Sequence, residues 1–179
     1  MEGDRTQVKK GVEELGQKVH AASASDMKQY VQKLMKKGSL PQELLGFSDV
    51  MVEGMYGQAY RLYNTGKYKE AIELFRMLTL INVQESKYLM GLAACFHMLK
   101  EYRKAVDMYT MCTLIDEANP IPYFHLSDCY MQMSDNASAL IALEMAIKRA
   151  TKPEYQTLKD RALLTCESLK KEIAKRRSL

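Results

Sequence analysis

Residues 68–78 of this 179-residue chain, YKEAIELFRML, are matched 34 residues later by YRKAVDMYTMC (102–112) and again by NASALIALEMA (136–146). One place in the three stretches holds a small residue, and the place four positions later holds a bulky apolar one: Ala71, Ala105 and Ala139, then Phe75, Tyr109 and Leu143. A fixed period between 20 and 50 residues indicates a repeat architecture in which similar units stack on one another.

Each unit carries two stretches with helical spacing of apolar residues. In the first unit, Met55, Ala59 and Leu62 follow one helix face, and a turn at residues 64–66 separates them from the stretch that begins near Ala71. The alanine lets the paired helices approach closely, while the aromatic side chain four residues on fills the adjoining groove. The pattern predicts three helix-turn-helix units and an all-α fold.

This pattern resembles the tetratricopeptide repeat, carried here by residues 52–85, 86–119 and 120–153. The resemblance implies three tandem repeats that form a short right-handed solenoid with flanking helices at both ends. The third repeat departs most from the pattern, because Ser134, Asp135 and Asn136 stand in its turn.

The flanking segments supply candidates for the helices that cap such a stack. Residues 1–25 hold only a sparse apolar stripe, which Gly11 and Gly16 interrupt, and we expect this segment to be mobile. Residues 26–51 predict an N-terminal helix and a short lead-in turn, and residues 154–179 predict a C-terminal capping helix with one apolar stripe.

Composition excludes several classes of function. The net charge is +4, but residues 52–153 hold 11 Lys plus Arg and 11 Asp plus Glu, so the surplus lies in the flanks and does not predict a nucleic-acid partner. The sequence predicts neither a signal peptide nor a membrane span, and therefore a cytosolic protein without stable membrane insertion. The four cysteines have no disulfide or zinc spacing and are interpreted as reduced core residues.

No residue pattern predicts catalysis, a metal or a cofactor. His97 and His125 lie in adjacent repeats, but Asp128 alone cannot complete a zinc site with them. Phosphate-binding loops, nucleophile elbows and clustered carboxylates are absent from the sequence. We therefore expect a binding protein and not an enzyme.

The first helix of each repeat lines the concave surface in tetratricopeptide proteins, and the resemblance implies the same here. Tyr56, Tyr60 and Tyr63 lie at i, i+4 and i+7, on the side of their helix opposite Met55 and Ala59. Tyrosines and methionines suit a groove that grips extended peptides, although the same side chains could contact a neighbouring helix within the fold. The candidate groove residues are Tyr56, Tyr60, Tyr63 and Asn64 in repeat one, Met90, Ala94, His97 and Met98 in repeat two, and Phe124, His125, Asp128 and Met131 in repeat three.

A narrower resemblance covers about residues 27–165. The stretches MYGQAYRLYNTGKY (55–68), YLMGLAAC (88–95) and PYFHL (122–126) resemble the class II chaperones of bacterial type III secretion systems. The resemblance implies a cytosolic chaperone that holds hydrophobic translocator proteins soluble and unassembled until export. It also implies that Tyr56, Tyr60, Tyr63, Phe124 and His125 contact the client peptide, with Tyr68 near the pocket floor.

The same family tends to self-associate through its N-terminal helix. The residues implied at this homodimer interface are Met27, Tyr30, Val31 and Leu34. Two other interpretations remain open at the level of the sequence. One is a general tetratricopeptide adaptor that captures a C-terminal carboxylate, but the matching groove positions hold no cations, which argues against it. The other is a structural subunit whose aromatic stripe is an obligate interface.

Overall fold

The computed structural model describes residues 46–82 and 84–177 of the chain. Within these ranges the chain forms seven α-helices and a short 3₁₀ turn at Pro153–Tyr155. The helices are α1 (Asp49–Asn64), α2 (Tyr68–Ile81), α3 (Ser86–Met98), α4 (Tyr102–Ile115), α5 (Pro120–Gln132), α6 (Asn136–Arg149) and α7 (Gln156–Arg177). The predicted all-α fold of three tetratricopeptide repeats is confirmed.

Each helix packs mainly on the helix before it and the helix after it, so the chain is a stack and not a bundle. The residues of the 34-residue frame lie at the helix crossings. Ala71, Ala105 and Ala139 are completely buried, as are the bulkier residues four positions later. The predicted packing of small against large side chains is confirmed at these positions.

Side-chain caps fix where several helices begin. Ser48 Oγ accepts a hydrogen bond from the Met51 amide at the start of α1, and Asp135 Oδ1 accepts one from the Ser138 amide at the start of α6. Asn119 Oδ1 accepts from the amide of Ile121 where Pro120 opens α5. These side chains satisfy amides that have no partner within the helix.

The turn between the two helices of a repeat has the same backbone geometry three times. A residue with positive φ follows each first helix: Gly66 at 77°, Lys100 at 61° and Ser134 at 61°. The amide of the next residue then donates back to a carbonyl five positions earlier, as Lys67 does to Leu62 at 2.9 Å. This is the Schellman motif, and it forms in the third repeat as well, although the sequence of that turn departs from the others.

Glycine at these turns is expected to stabilise the protein. A non-glycine residue in the left-handed region destabilises the folded state by about 1 to 2 kcal/mol. Replacement by glycine removes this strain, but about half of the gain is lost because glycine makes the unfolded chain more flexible. Lys100→Gly and Ser134→Gly should each raise the free energy of unfolding by about 0.5 to 1 kcal/mol in urea titrations. Gly66→Ala is the matched control and should lower it; a decrease with either glycine would contradict the argument.

The last helix covers the end of the third repeat. Its residues Ala162, Cys166 and Leu169 are buried against Ala139 and Leu143 of α6. Lys170 Nζ also pairs with Glu144 at 3.0 Å across the two helices. None of the helices in the described part of the chain has the length and apolar character needed to cross a bilayer.

The cysteines lie inside the stack. Cys95, Cys112, Cys129 and Cys166 are buried as free thiols. Burial raises the pKa of Cys95, Cys112 and Cys129 to about 12 each. Their interpretation as small core residues is confirmed.

Candidate functional site

Four aromatic side chains form what we call the tyrosine patch: Tyr56, Tyr60, Tyr63 and Tyr68. The rings of Tyr56 and Tyr60 stack with centroids 6.5 Å apart, and the ring of Tyr63 meets that of Tyr68 edge-on at 5.5 Å. Tyr60 is 54% exposed, whereas the other three are partly buried against the core. The patch therefore presents one projecting ring on a firmly packed aromatic base.

Tyr56 also joins the first repeat to the second. Its ring lies 6.2 Å from that of Phe75 and 5.7 Å from that of Tyr88. Lys87 Nζ lies 4.9 Å from the centre of the Tyr56 ring and pairs with Glu53 at 3.0 Å. The sequence allows the tyrosines to be either groove residues or contacts with a neighbouring helix. The contacts of Tyr56 favour packing within the fold, whereas the exposure of Tyr60 favours contact with a peptide.

A second cluster links repeats two and three, and we call it the histidine cluster: His97, Tyr109, His125 and Asp128. His97 Nε2 lies 2.8 Å from Asp128 Oδ2, so α3 is bonded directly to α5. The His125 ring stacks on the Tyr109 ring with centroids 5.2 Å apart at 14°. The His97 ring is edge-on to both of these rings at 6.2 Å. The sequence flagged both histidines and Asp128; the structure brings them together.

The two clusters are neighbours. Burial is the first cause that raises the pKa of Tyr63, followed by the nearby Tyr68 and Cys95. Tyr63 in turn contributes, after burial and Cys129, to the raised pKa of Tyr109. Tyr63 and Tyr109 therefore lie close to each other, and we refer to the tyrosine patch and the histidine cluster together as the candidate surface.

Burial lowers the pKa of His125, and the neighbouring His97 and Arg161 lower it further, while Asp128 opposes them. The folded protein thus favours the neutral imidazole. In the described residues no group of three His, Cys, Asp or Glu side chains has an arrangement that could hold a metal ion.

Stability is expected to fall in mild acid because of His125. A histidine whose pKa is lowered by folding contributes its stability above the unfolded value near 6.5 and loses it as the pH falls from there toward the folded value. Urea titrations between pH 7.5 and 5 should show this loss in the wild type. His125→Phe, which keeps a ring on Tyr109, should show less of it; parallel curves for the two proteins would contradict the assignment.

At the far end of the surface, Phe124 and Met131 of α5 pack on the cluster of apolar residues under α7. The Arg161 guanidinium of α7 lies 5.6 Å from the centre of the Phe124 ring. Sequence reasoning treated α7 only as a cap and missed Arg161, because nothing in its spacing shows that the helix brings a cation to Phe124. It also counted Tyr109 as a core position alone, although its ring supports His125.

The remaining candidate residues are placed as follows. Met90 and Ala94 of α3 are partly buried, with Met90 packed against the core, and Met98 is 49% exposed near the end of that helix. Asn64 is exposed at the last position of α1. The four residues implied at the dimer interface, the segment 1–25 and most of residues 26–51, which are predicted to form an N-terminal helix and lead-in turn, lie outside the described residues.

Comparison with known proteins shows which chaperones the chain is similar to. The tetratricopeptide repeat family model matches residues 52–82 and 86–118. The chaperone protein SicA of Salmonella typhimurium is 28% identical over 136 residues, which cover 76% of this chain and 81% of SicA. The solved type III secretion translocator chaperone SycD of Yersinia enterocolitica, in complex with a peptide of the translocator YopD, is 29% identical over 70% of this chain and 96% of that one, with a TM-score of 0.68. The chain is homologous to the type III secretion translocator chaperones.

A second solved translocator chaperone matches a similar share of this chain. PcrH in complex with the chaperone binding region of PopD has a TM-score of 0.69 and 27% identity, and the match covers 71% of this chain and 96% of that one. PcrH comes from Pseudomonas aeruginosa, and SycD has also been solved as an alternative dimer. The similarity of these translocator chaperones to this chain therefore spans nearly their whole length.

Proposed function

We propose that this chain is a chaperone of the bacterial cytoplasm that holds an extended segment of a hydrophobic translocator protein and keeps it soluble and unassembled until export. The observation that carries the proposal is the pair of aromatic clusters, the tyrosine patch and the histidine cluster, in a chain whose relatives include chaperones solved with translocator peptides. The action is binding alone, and no chemical step is involved.

The surface suits an extended, partly apolar peptide. Tyr60 projects from a packed aromatic base, so its ring loses little conformational freedom when it covers an apolar side chain. Met98 lies half exposed at the end of α3, where a flexible thioether can adapt to different client side chains. Apolar anchors buried here are removed from the contacts that would drive aggregation.

We propose the following residues as the client-binding set: Tyr56, Tyr60, Tyr63, Asn64, Tyr68, Met90, His97, Phe124, His125, Asp128 and Met131. Tyr60 and Phe124 act as contact residues, and the His97 to Asp128 pair holds two repeats in register beneath the peptide. Without client, we propose a homodimer through residues 26–51, where Met27, Tyr30, Val31 and Leu34 form the apolar stripe.

The test is co-expression of the tagged chain with each translocator protein encoded in the same genome. The expected result is that at least one translocator moves from the pellet to the soluble fraction and co-elutes with the chain. An unrelated secreted protein without apolar segments serves as the negative control. A translocator that stays equally insoluble with and without the chain would contradict the proposal.

A further inference from the structure

Arg161 occupies a position that capping of the stack does not explain. Its side chain is exposed, yet the guanidinium lies over Phe124, which belongs to the proposed client surface on α5. Arg161 lies one position before Ala162, which is completely buried against the third repeat, so α7 can turn little about its axis. The cation is therefore held at the edge of the surface by the packing of its own helix.

Two acidic groups in this region, Asp128 and Asp160, are already engaged. Asp128 Oδ2 lies 2.8 Å from His97 Nε2, and Asp160, the preceding residue, accepts a hydrogen bond from Gln156 at 2.8 Å. Within residues 46–82 and 84–177, no carboxylate lies within ion-pair distance of Arg161. By comparison, Lys170 on the same helix pairs with Glu144, and Lys87 at the other end of the surface pairs with Glu53.

The positive field of Arg161 reaches the client surface, because it is one of the causes that lower the pKa of His125. Stacking on an aromatic face uses the plane of a guanidinium and leaves its N–H donors free at the rim. Those donors match the two oxygens of a carboxylate, which they can bind through two parallel hydrogen bonds.

We infer that Arg161 determines specificity by binding a carboxylate of the client segment next to the apolar side chain that covers Phe124. This rests on the proposed function, and it adds a charge requirement at the third repeat to the apolar contacts at the first. The carboxylate is either an Asp or Glu side chain of the client or the terminal carboxylate of a peptide that ends there. The chain would thus select among apolar segments by one acidic group.

The test begins with the translocator recovered by co-expression. Limited proteolysis of that complex gives the protected segment, which is synthesised with a fluorescent label as the probe. Each Asp or Glu of the probe is replaced in turn by Asn or Gln, and a further version carries a C-terminal amide. Affinities for wild type and Arg161→Gln are then measured by fluorescence anisotropy at low and at high salt.

Arg161→Gln is expected to weaken binding of the unmodified probe about tenfold, which is typical of one hydrogen-bonded charge pair. One modified probe should bind both proteins equally, and that probe identifies the carboxylate as a side chain or as the terminus. The difference between the proteins should shrink at about 1 M salt, where charges are screened within about 3 Å. Arg161→Lys, which keeps the charge but not the planar fork, should fall between the two, and Lys170→Gln should bind as wild type does.

The possible outcomes separate this inference from the proposed function. Capture of no translocator overturns the proposed function and the inference with it. If a translocator is captured but the probe binds wild type and Arg161→Gln with equal affinity, the inference alone is overturned. A loss of the same size for every probe, including those without acidic groups, also overturns it, because Arg161 would then act only by packing on Phe124.

Discussion

Replacing both Tyr60 and Tyr63 by alanine should weaken binding of the protected translocator segment by about 30-fold or more, since buried aromatic contacts contribute about 1 to 3 kcal/mol each. The two rings differ in what they lose. Tyr60 is 54% exposed, so its truncation removes a client contact and little else. Tyr63 packs edge-on against Tyr68 at 5.5 Å, so its truncation also opens a gap beneath the client.

Single variants separate these two effects. Tyr60→Ala should reduce affinity while leaving thermal stability nearly unchanged, and Tyr63→Phe should keep both the packing and most of the affinity. The control is Leu114→Ala with Ile141→Ala, which removes two exposed apolar side chains, 70% and 63% exposed, from the second helices of repeats two and three. Wild-type affinity in a double tyrosine variant that keeps its helical circular dichroism would remove the tyrosine patch from the client surface.

Gly91→Ala should lower the free energy of unfolding by up to about 2 kcal/mol, against the usual gain from replacing a helical glycine. A Cβ at Gly91 would lie 2.3 Å from Cε1 and 2.4 Å from Cζ of Phe75. Phe75 is only 2% exposed and holds the crossing of α2 and α3, so its ring has little space to move. Overpacking of this kind lowers the free energy of unfolding by about 1 to 3 kcal/mol, whereas the higher helix propensity of alanine raises it by about 1 kcal/mol.

The chain offers a control for this substitution in Gly57 of α1, where an added Cβ meets nothing within 4 Å. Gly57→Ala should raise the free energy of unfolding by about 0.5 to 1 kcal/mol, so the same change has opposite signs at the two positions. Phe75→Leu combined with Gly91→Ala should recover part of the loss. Equal stabilisation by both alanines in urea titrations would show that α2 and α3 can separate slightly at no loss of stability.

The repeats could be predicted from sequence because their decisive contacts recur. Ala71 and Phe75 stand in the same frame as their counterparts 34 and 68 residues later, so one rule of packing applies three times. The turn of the third repeat could not be judged from Ser134 alone. Its geometry depends on the backbone hydrogen bonds at the end of α5 and the start of α6. These hold Ser134 at a positive φ, although serine rarely adopts that conformation.

The site was less accessible to sequence reasoning because its contacts fall outside the frame. His97 and Asp128 are 31 residues apart, so they do not share a frame position. Whether their side chains meet depends on how α5 is rotated against α3. Arg161 reaches Phe124 only because α7 crosses the end of the third repeat at a particular angle. Periodicity identifies the face of each helix, but the relative rotation of helices decides which polar side chains meet.

The buried thiols give the chain internal reporters of local opening. Cys95 lies in repeat two, Cys129 in repeat three and Cys166 on the last helix, and each is almost fully enclosed. An alkylating reagent reacts with an accessible thiolate, and burial keeps these thiols both protonated and out of reach. The reagent can therefore modify them only after the surrounding helices have separated from one another. The order in which they are modified would reveal whether the stack frays from α7 inward or opens first between its central repeats, and whether a bound client slows one of these routes more than the other.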